Sequence, residues 1–360
     1  MLNSFSLPKR SRSRLACFFL FALVLALTSG CASLFGVKRK VMVTPLLGPL
    51  EEASTTRLIA EVNRLAAVRS IKGKIDIQIQ DNSFAESGLA EKYRTADGTV
   101  YLQRPGQIYL RIQAPFVGTN IAEMTSDGER FRVAVLQGDD KLRRFVLGTN
   151  NAVYPKLAMD ENDNAGDKKR KGIKNEQTVS VLSSLRPQHF TDALMILPIE
   201  ARDSSGLVYA RSEFYQEEAD TRPRAKKDER VVRGYYLLDE LMPGGESGAR
   251  LLRRFWFDRV GGIRLARVQT FDKDGTLVSD VSYTDPKNFG EDGRLVMPSR
   301  IELTRPHDHY KLSVTYQAPE TVVLDREYQP NIFVLENKWK LPELNLDERE
   351  KQRAVKSSNE

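Results

Sequence analysis

Three histidines and two cysteines are the side chains of this sequence best suited to metal or nucleophilic chemistry. Their placement argues against both. His307-Asp308-His309 would set two imidazoles on one face of a strand, an arrangement that suits a metal. No third protein ligand is identifiable, and Arg305-Pro306 ahead of them is a turn signal, so the reading is two exposed turn histidines. No Gly-x-Ser-x-Gly elbow, Walker loop, Gly-x-Gly-x-x-Gly or His-Glu-x-x-His occurs. Carboxylates are plentiful, yet none pairs at a spacing that stands apart from surface charge. Catalysis, a cofactor and a metal are therefore not expected, nor is nucleic acid. Of the +7 net charge of the 360 residues, four bases unopposed by any acid lie in residues 1–30, which leaves the body at only +3 with no basic stripe.

The cysteines point to a different chemistry, covalent modification. Lys9, Arg10, Arg12 and Arg14 form a positive start, and Leu15 to Leu27 form an apolar run too short to span a hydrocarbon core comfortably. Residues 1–30 read as a secretory signal. Its end, Leu27-Thr28-Ser29-Gly30-Cys31-Ala32-Ser33, resembles a lipobox, the motif whose cysteine receives a diacylglyceryl group in bacterial lipoproteins and becomes the mature N-terminus. Thr28 departs from that motif, which usually has Leu three places before the cysteine. Cys17 would be discarded with the apolar run, so no free thiol would remain. In the enterobacterial sorting rule an Asp after the cysteine signals retention in the inner membrane. By that resemblance Ala32 implies a lipid-anchored protein on the periplasmic face of the outer membrane.

The rest of the chain has the means to build a core, with 41% hydrophobic and 29% charged residues. Residues 31–53, with Pro45, Gly48 and Pro49, read as a tether. Ser54 and Thr55 offer helix caps, and Leu58, Ile59, Val62, Leu65 and Ala66 mark one apolar helical face over Thr56–Val68. The period then changes to two. Ile71, Gly73, Ile75, Ile77 and Ile79 alternate with polar residues, as in a strand with one buried face. Strand patterns follow at Thr99–Gln103, Gln107–Gln113, Asn120–Thr125, Arg130–Leu136 and Lys141–Leu147. A charged loop at Asp160–Lys174 and a short helix near Pro187–Leu197 interrupt them. Strands resume at Gly206–Gln216, Arg230–Asp239, Ala249–Arg259, Ile263–Lys273, Thr276–Thr284, Leu295–Thr304 and Tyr310–Gln317, with a charged loop over Glu217–Arg230. Residues 337–360, charged and poor in aromatics, read as a frayed tail. About a dozen sequential antiparallel strands must curl. Helices lying in the opening of a curled sheet, over residues 54–336, give a mainly β domain with a concave apolar face.

Several stretches resemble the bacterial lipoprotein-localisation superfamily, the LolA/LolB-like proteins. They are the helix-to-strand junction Leu65-Ala66-Ala67-Val68-Arg69-Ser70-Ile71-Lys72-Gly73, then Val100-Tyr101-Leu102-Gln103-Arg104-Pro105-Gly106-Gln107-Ile108-Tyr109-Leu110-Arg111, and Ala114-Pro115-Phe116-Val117-Gly118-Thr119 followed by Ser126-Asp127-Gly128. The resemblance covers Ser54–Gly148 and continues beyond only as a rhythm of strands. It implies an incomplete β-barrel capped by helices, an apolar cavity for acyl chains, and acylated lipoproteins or lipid as partners. It also implies a loop that projects a large apolar side chain where Phe116 stands. This chain is longer than the receptors of that family and carries charged insertions near Asp160 and Glu217.

Two ambiguities stay open in the sequence. Phe116 and Val117 either tuck into a barrel end or meet a membrane or an incoming acyl chain. Ile75, Ile77, Ile79, Ile108, Leu110, Ile112, Phe255 and Phe257 are either plain core or the wall of a cavity. The same fold also serves sensors that bind exported proteins, so an envelope scaffold or sensor is the alternative to a carrier of acyl chains.

Overall fold

The alternation at Ile71–Ile79 becomes β1 (Ser70–Asp81), whose odd-numbered isoleucines are buried while the polar residues between them stay half-exposed or exposed. The computed structural model describes residues 43–82, 91–92, 95–138, 140, 143–150, 152, 154, 186–200, 206–244 and 248–357. Cys17, Cys31, the apolar run and the charged loop expected over Asp160–Lys174 lie outside the described residues. The chain divides at Pro45/Leu46, and the sheet and its helices all belong to the unit Leu46–Glu360.

Hairpin follows hairpin along the chain. On one side of β1 stand β3 (Ala96–Gln103), β4 (Gln107–Gln113), β5 (Asn120–Asp127), β6 (Arg130–Val135) and β7 (Arg144–Thr149). On the other side stand β14 (Tyr310–Tyr316), β13 (Leu295–Arg305), β12 (Leu277–Phe289), β11 (Arg264–Phe271), β10 (Ala249–Asp258), β9 (Arg230–Pro243) and β8 (Val208–Ala219). Short β2 (Glu91–Lys92) and β15 (Val323–Leu324) pair with the two ends of β1. The sheet is antiparallel except at β16 (Glu343–Asn345), which runs parallel to β7. It curls without closing, so β8 and β16 are its two edges.

The register stacks apolar side chains in rows across the strands. One row runs Ile77, Val314, Ile301, Tyr283, and another runs Leu238, Phe255, Val268, Val281. Two helices cover this face. Helix α1 (Thr55–Ala66) starts at Ser54, whose hydroxyl accepts from the Arg57 amide, and buries Leu58, Val62 and Leu65. Helix α2 (Pro187–Leu194) has Pro at its first position, where no intrahelical donor is needed, and buries Phe190, Ala193 and Leu194 against β4, β5 and β13. Each fully buried Leu or Phe contributes about 1.5–3 kcal/mol, so the helices are held chiefly by their apolar stripes.

Two segments depart from expectation. The tether does not run to residue 53, because the Leu47 amide donates to the Val232 carbonyl and the Glu51 amide to that of Arg259. Arg259, only 2% exposed, pins this strap: its guanidinium binds the carboxylates of Glu52 and Glu213 and the Glu51 carbonyl, and lies over the Tyr236 ring. The frayed tail expected over 337–360 is also corrected. Phe333, Leu335, Leu341 and Leu346 are buried, β16 extends the sheet, and α3 (Leu346–Ser357) follows it. Asp347 at the start of α3 accepts from Thr149 and Tyr154. This C-terminal wrap crosses the outer face of β5–β7, where Leu335 and Leu341 pack with Ala134 and Phe145, so that these strands are largely buried on both sides.

Candidate functional site

The concave face gathers all eight residues singled out as core or cavity wall. Ile75, Ile77 and Ile79 on β1, Ile108, Leu110 and Ile112 on β4, and Phe255 and Phe257 on β10 lie at 0–5% exposure in one apolar cluster with the buried faces of α1 and α2. Between Phe255 and Phe257, Trp256 points to the opposite face, where it packs edge-on against Phe214 and Tyr235.

Beneath the helices a cavity of about 10 Å³ is lined by Leu65, Ile71, Met195, Ile301, Tyr316 and Arg104, among others. That is about the room of one water. Among the described residues, side chains fill the space beneath the helices, and an acyl chain would enter there only where helix residues make way. One polar atom in the lining is unsatisfied, since the Tyr316 hydroxyl is buried without a hydrogen-bond partner. Burial pushes its ionisation well above the ordinary phenol range.

A small set of polar contacts holds the cover down. Arg104 donates from Nε to the Val68 carbonyl, just past α1, and from Nη2 to the Ile196 carbonyl, just past α2, at 2.9 and 2.7 Å. Asn63 on α1 makes a reciprocal pair with the Ile199 backbone. Tyr283 donates to the Ala193 carbonyl. The Tyr310 hydroxyl meets Nδ1 of His189, both groups being buried. Sequence alone places Arg104 in a motif without giving it a task, and assigns nothing to Asn63, Tyr283 or the His189–Tyr310 pair.

Burial, and secondarily the positive charge of Arg305, holds the His189 imidazole well below its ordinary value, against a weaker opposing pull from Asp308. The folded state therefore binds this proton less readily than the unfolded chain does. The stability contributed by neutral His189 is complete above the ordinary histidine value near 6.5 and is lost as pH falls below it, by about 1.4 kcal/mol per pH unit until the folded group itself protonates. Burial also raises the Asp192 carboxyl on α2 to about 6, which adds stability as pH falls and opposes this loss. The test is therefore the difference in unfolding between parent and His189→Gln, the variant losing less from pH 7 to pH 5. An equal slope in the variant would contradict the assignment.

Phe116 and Val117 sit at the far end of the same sheet, in the turn between β4 and β5. They do not tuck into the barrel end. Phe116 is 104% exposed and Val117 76%. The turn is nonetheless ordered by its own bonds: the Ala114 amide to the Thr119 carbonyl, the Gly118 amide to the Ala114 carbonyl, and the Gln113 side-chain amide to the Gly118 carbonyl. Phe116 adopts φ 67°, a left-handed conformation that costs a bulky side chain about 1–2 kcal/mol. Below the turn, Glu123 (2% exposed) accepts from Asn120 and Tyr109 and faces Arg111, which fixes the base from which the tip projects. Burial pushes the Tyr109 hydroxyl up to about 12, so it stays a donor to Glu123 throughout the physiological range.

His307 and His309 occupy the exposed turn between β13 and β14, where Asp308 is engaged by Arg305. Among the described residues no three His, Cys, Asp or Glu side chains gather into a metal-type cluster, and no helix is long and apolar enough to cross a membrane.

No family model and no curated protein matches the chain. Among solved structures, it is similar to a LolA superfamily protein from Nitrosomonas europaea at 12% identity, over 79% of this chain and 99% of that one, with a TM-score of 0.36. It is also similar to a DUF1329 family protein from Desulfovibrio piger at 12% identity, over 77% of this chain and 95% of that one, with a TM-score of 0.37. The architecture expected from the sequence, mainly β with a single curled, unclosed antiparallel sheet and few helices, is the one observed.

Proposed function

We propose that this protein is a lipid-anchored binding module on the periplasmic face of the outer membrane, and that its concave face accepts the acyl chain of a lipoprotein or lipid. The observation that carries this reading is Phe116, a bulky apolar side chain held wholly in water, in a costly conformation, by an ordered turn. A core residue has no reason to be there, whereas a residue that must touch an apolar partner does.

The steps follow from the chain's own groups. The Phe116–Val117 tip meets the incoming acyl chain or the membrane holding it. Burying Phe116 there yields about 1.5–3 kcal/mol, enough to orient an encounter and too little to anchor it. Anchoring falls to the lipid on Cys31, which is the covalent group this reading requires. The acyl chain then displaces residues 194–196 from the sheet and lies against the isoleucines of β1 and β4. Moving a chain between two apolar environments is near-neutral in free energy, so the step needs no nucleotide, cofactor or metal.

The near-filled interior favours a second reading, an envelope scaffold or sensor that binds a protein partner on the same fold. Mass spectrometry of the protein purified from membranes separates the two. Bound acyl chains support the carrier, and a stoichiometric protein without lipid supports the scaffold. The same preparation tests the anchor. Intact mass is expected to show a chain beginning at a diacylated Cys31, and Cys31→Ala should yield unprocessed or soluble protein. An unmodified N-terminus beginning elsewhere would end the idea.

A further inference from the structure

The two edges of the sheet are treated differently. One is β16, three residues long and followed at once by α3. The other is β8, which pairs with β9 over all twelve residues Val208–Ala219 without a register shift and has no strand on its outer side among the described residues. Exposed edges invite pairing, and soluble proteins commonly blunt them with proline, lysine, a bulge or a short strand. β8 is long, unbulged and without proline or lysine, and the charges it does carry include Arg211 and Glu213, of opposite sign two residues apart. Alongside them stand exposed apolar side chains: Val208 at 50%, Phe214 at 40% and Tyr215 at 49% exposure.

We infer that β8 is the interface with a second copy of this chain, paired antiparallel about a two-fold axis at Ser212 so that two curled sheets join edge to edge. A two-fold axis at residue 212 sets each residue opposite its reflection, and the strand is self-complementary in that register. Arg211 faces Glu213 of the other copy, twice. Tyr209 faces Tyr215, Ala210 faces Phe214, and Val208 faces Gln216, again twice. Directly opposed side chains of an antiparallel pair lie about 4.5–5.5 Å apart at Cβ, close enough for opposite charges and aromatic rings to interact. Moving the axis by one residue keeps the faces matched but sets Arg211 against Arg211 or Glu213 against Glu213, so like charges oppose it. Among the described residues both charges keep bonding capacity for a partner: the bonds from Arg259 and Tyr215 to Glu213 both land on Oε2, and Arg211, lying over the Tyr236 ring, gives Nη1 to the Ala53 carbonyl. An isologous contact of this kind closes as a dimer and leaves the concave faces and both Phe116 tips free.

The test uses the full-length protein in detergent. Light scattering corrected for the micelle is expected to give twice the chain mass. Ser212→Cys, at an exposed position on the axis, should form a disulfide-linked dimer on mild oxidation, whereas Tyr209→Cys and Phe214→Cys should not, because their reflections lie well along the strand. Ser212→Lys, which sets two ammonium groups against each other, should give the single-chain mass with an unchanged far-UV circular dichroism spectrum and a melting temperature that no longer depends on protein concentration. A parent protein of single-chain mass would overturn the proposal. So would cross-linking at 214 or 209 in preference to 212, or a Ser212→Lys protein that stays at twice the mass. A disulfide-independent cross-link from position 212 to residues 155–185 of the same chain, identified by peptide mass spectrometry, would overturn it in favour of an internal strand.

Discussion

Phe116→Glu is expected to leave the melting curve in place and to cut acyl-chain delivery at least tenfold. The side chain touches nothing that stabilises the folded state, since it is fully exposed, and surface changes of that kind shift stability by no more than about 0.5 kcal/mol. The loss in delivery comes from two sources. The burial gain of about 1.5–3 kcal/mol disappears, and a carboxylate entering an apolar environment adds a desolvation cost of several kcal/mol. Phe116→Gly sharpens the result. At φ 67° a glycine relieves the left-handed strain, so the variant should be more stable by about 1 kcal/mol and still deliver poorly. A variant that gains stability while losing function places the cost of Phe116 in its task. Unchanged delivery in both variants would mean the turn is inert.

Arg104→Met is expected to have the larger effect on the cover. The guanidinium holds the carbonyls of Val68 and Ile196 together, and burial holds its own ionisation below the ordinary value. It is therefore a charge kept at some expense to serve both helix exits. Hydrogen bonds to charged groups contribute about 1.5–3 kcal/mol each. With the expense of burying the charge set against them, the closed form should lose about 2–4 kcal/mol, which corresponds to a shift of about 30- to 1000-fold toward helices lifted from the sheet. Binding of an environment-sensitive apolar dye should rise, and a lipid should enter faster. Arg104→Lys should restore little, because one compact ammonium does not span two carbonyls as a planar fork does. An Arg104→Met protein that melts like the parent and binds no more dye would show that the cover is held by apolar packing alone.

Much of this fold was legible because it is local. The isoleucines of β1 and the Asp-Gly and Gly-Gly turns fix strand and face without reference to anything distant, and the hairpins then follow one another. The strap and the C-terminal wrap were not legible, because their partners lie far along the chain. Leu46, Leu47 and Leu50 have no helical or strand period, and their meaning depends on the closeness of Leu50 to Gly234, where a Cβ would meet its side chain at 2.9 Å. Trp339, Leu341, Leu344 and Leu346 were visible apolar residues within a charged segment, and their spacing revealed neither the outer face that the first two cover nor the main core that the last two join. The site divided in the same way. The alternation told which residues face inward, and the turn signals told where Phe116 stands. Whether Phe116 folds back, and how fully α1 and α2 fill the concavity, are matters of volume that no spacing encodes.

The most direct test of the account is the amount of acyl lipid bound per chain, measured by native mass spectrometry in the parent and in Leu65→Trp. Leu65 is 4% exposed and lines the space beneath the helices, so an indole there occupies the room an acyl chain needs, at a stability cost of about 1–3 kcal/mol that a melting curve reports separately. Acyl lipid approaching one per chain in the parent, and its absence from a folded Leu65→Trp protein, is the predicted result. A parent chain that binds no lipid, or a Leu65→Trp chain that binds as much as the parent, would contradict the claim that the concave face is where the acyl chain goes.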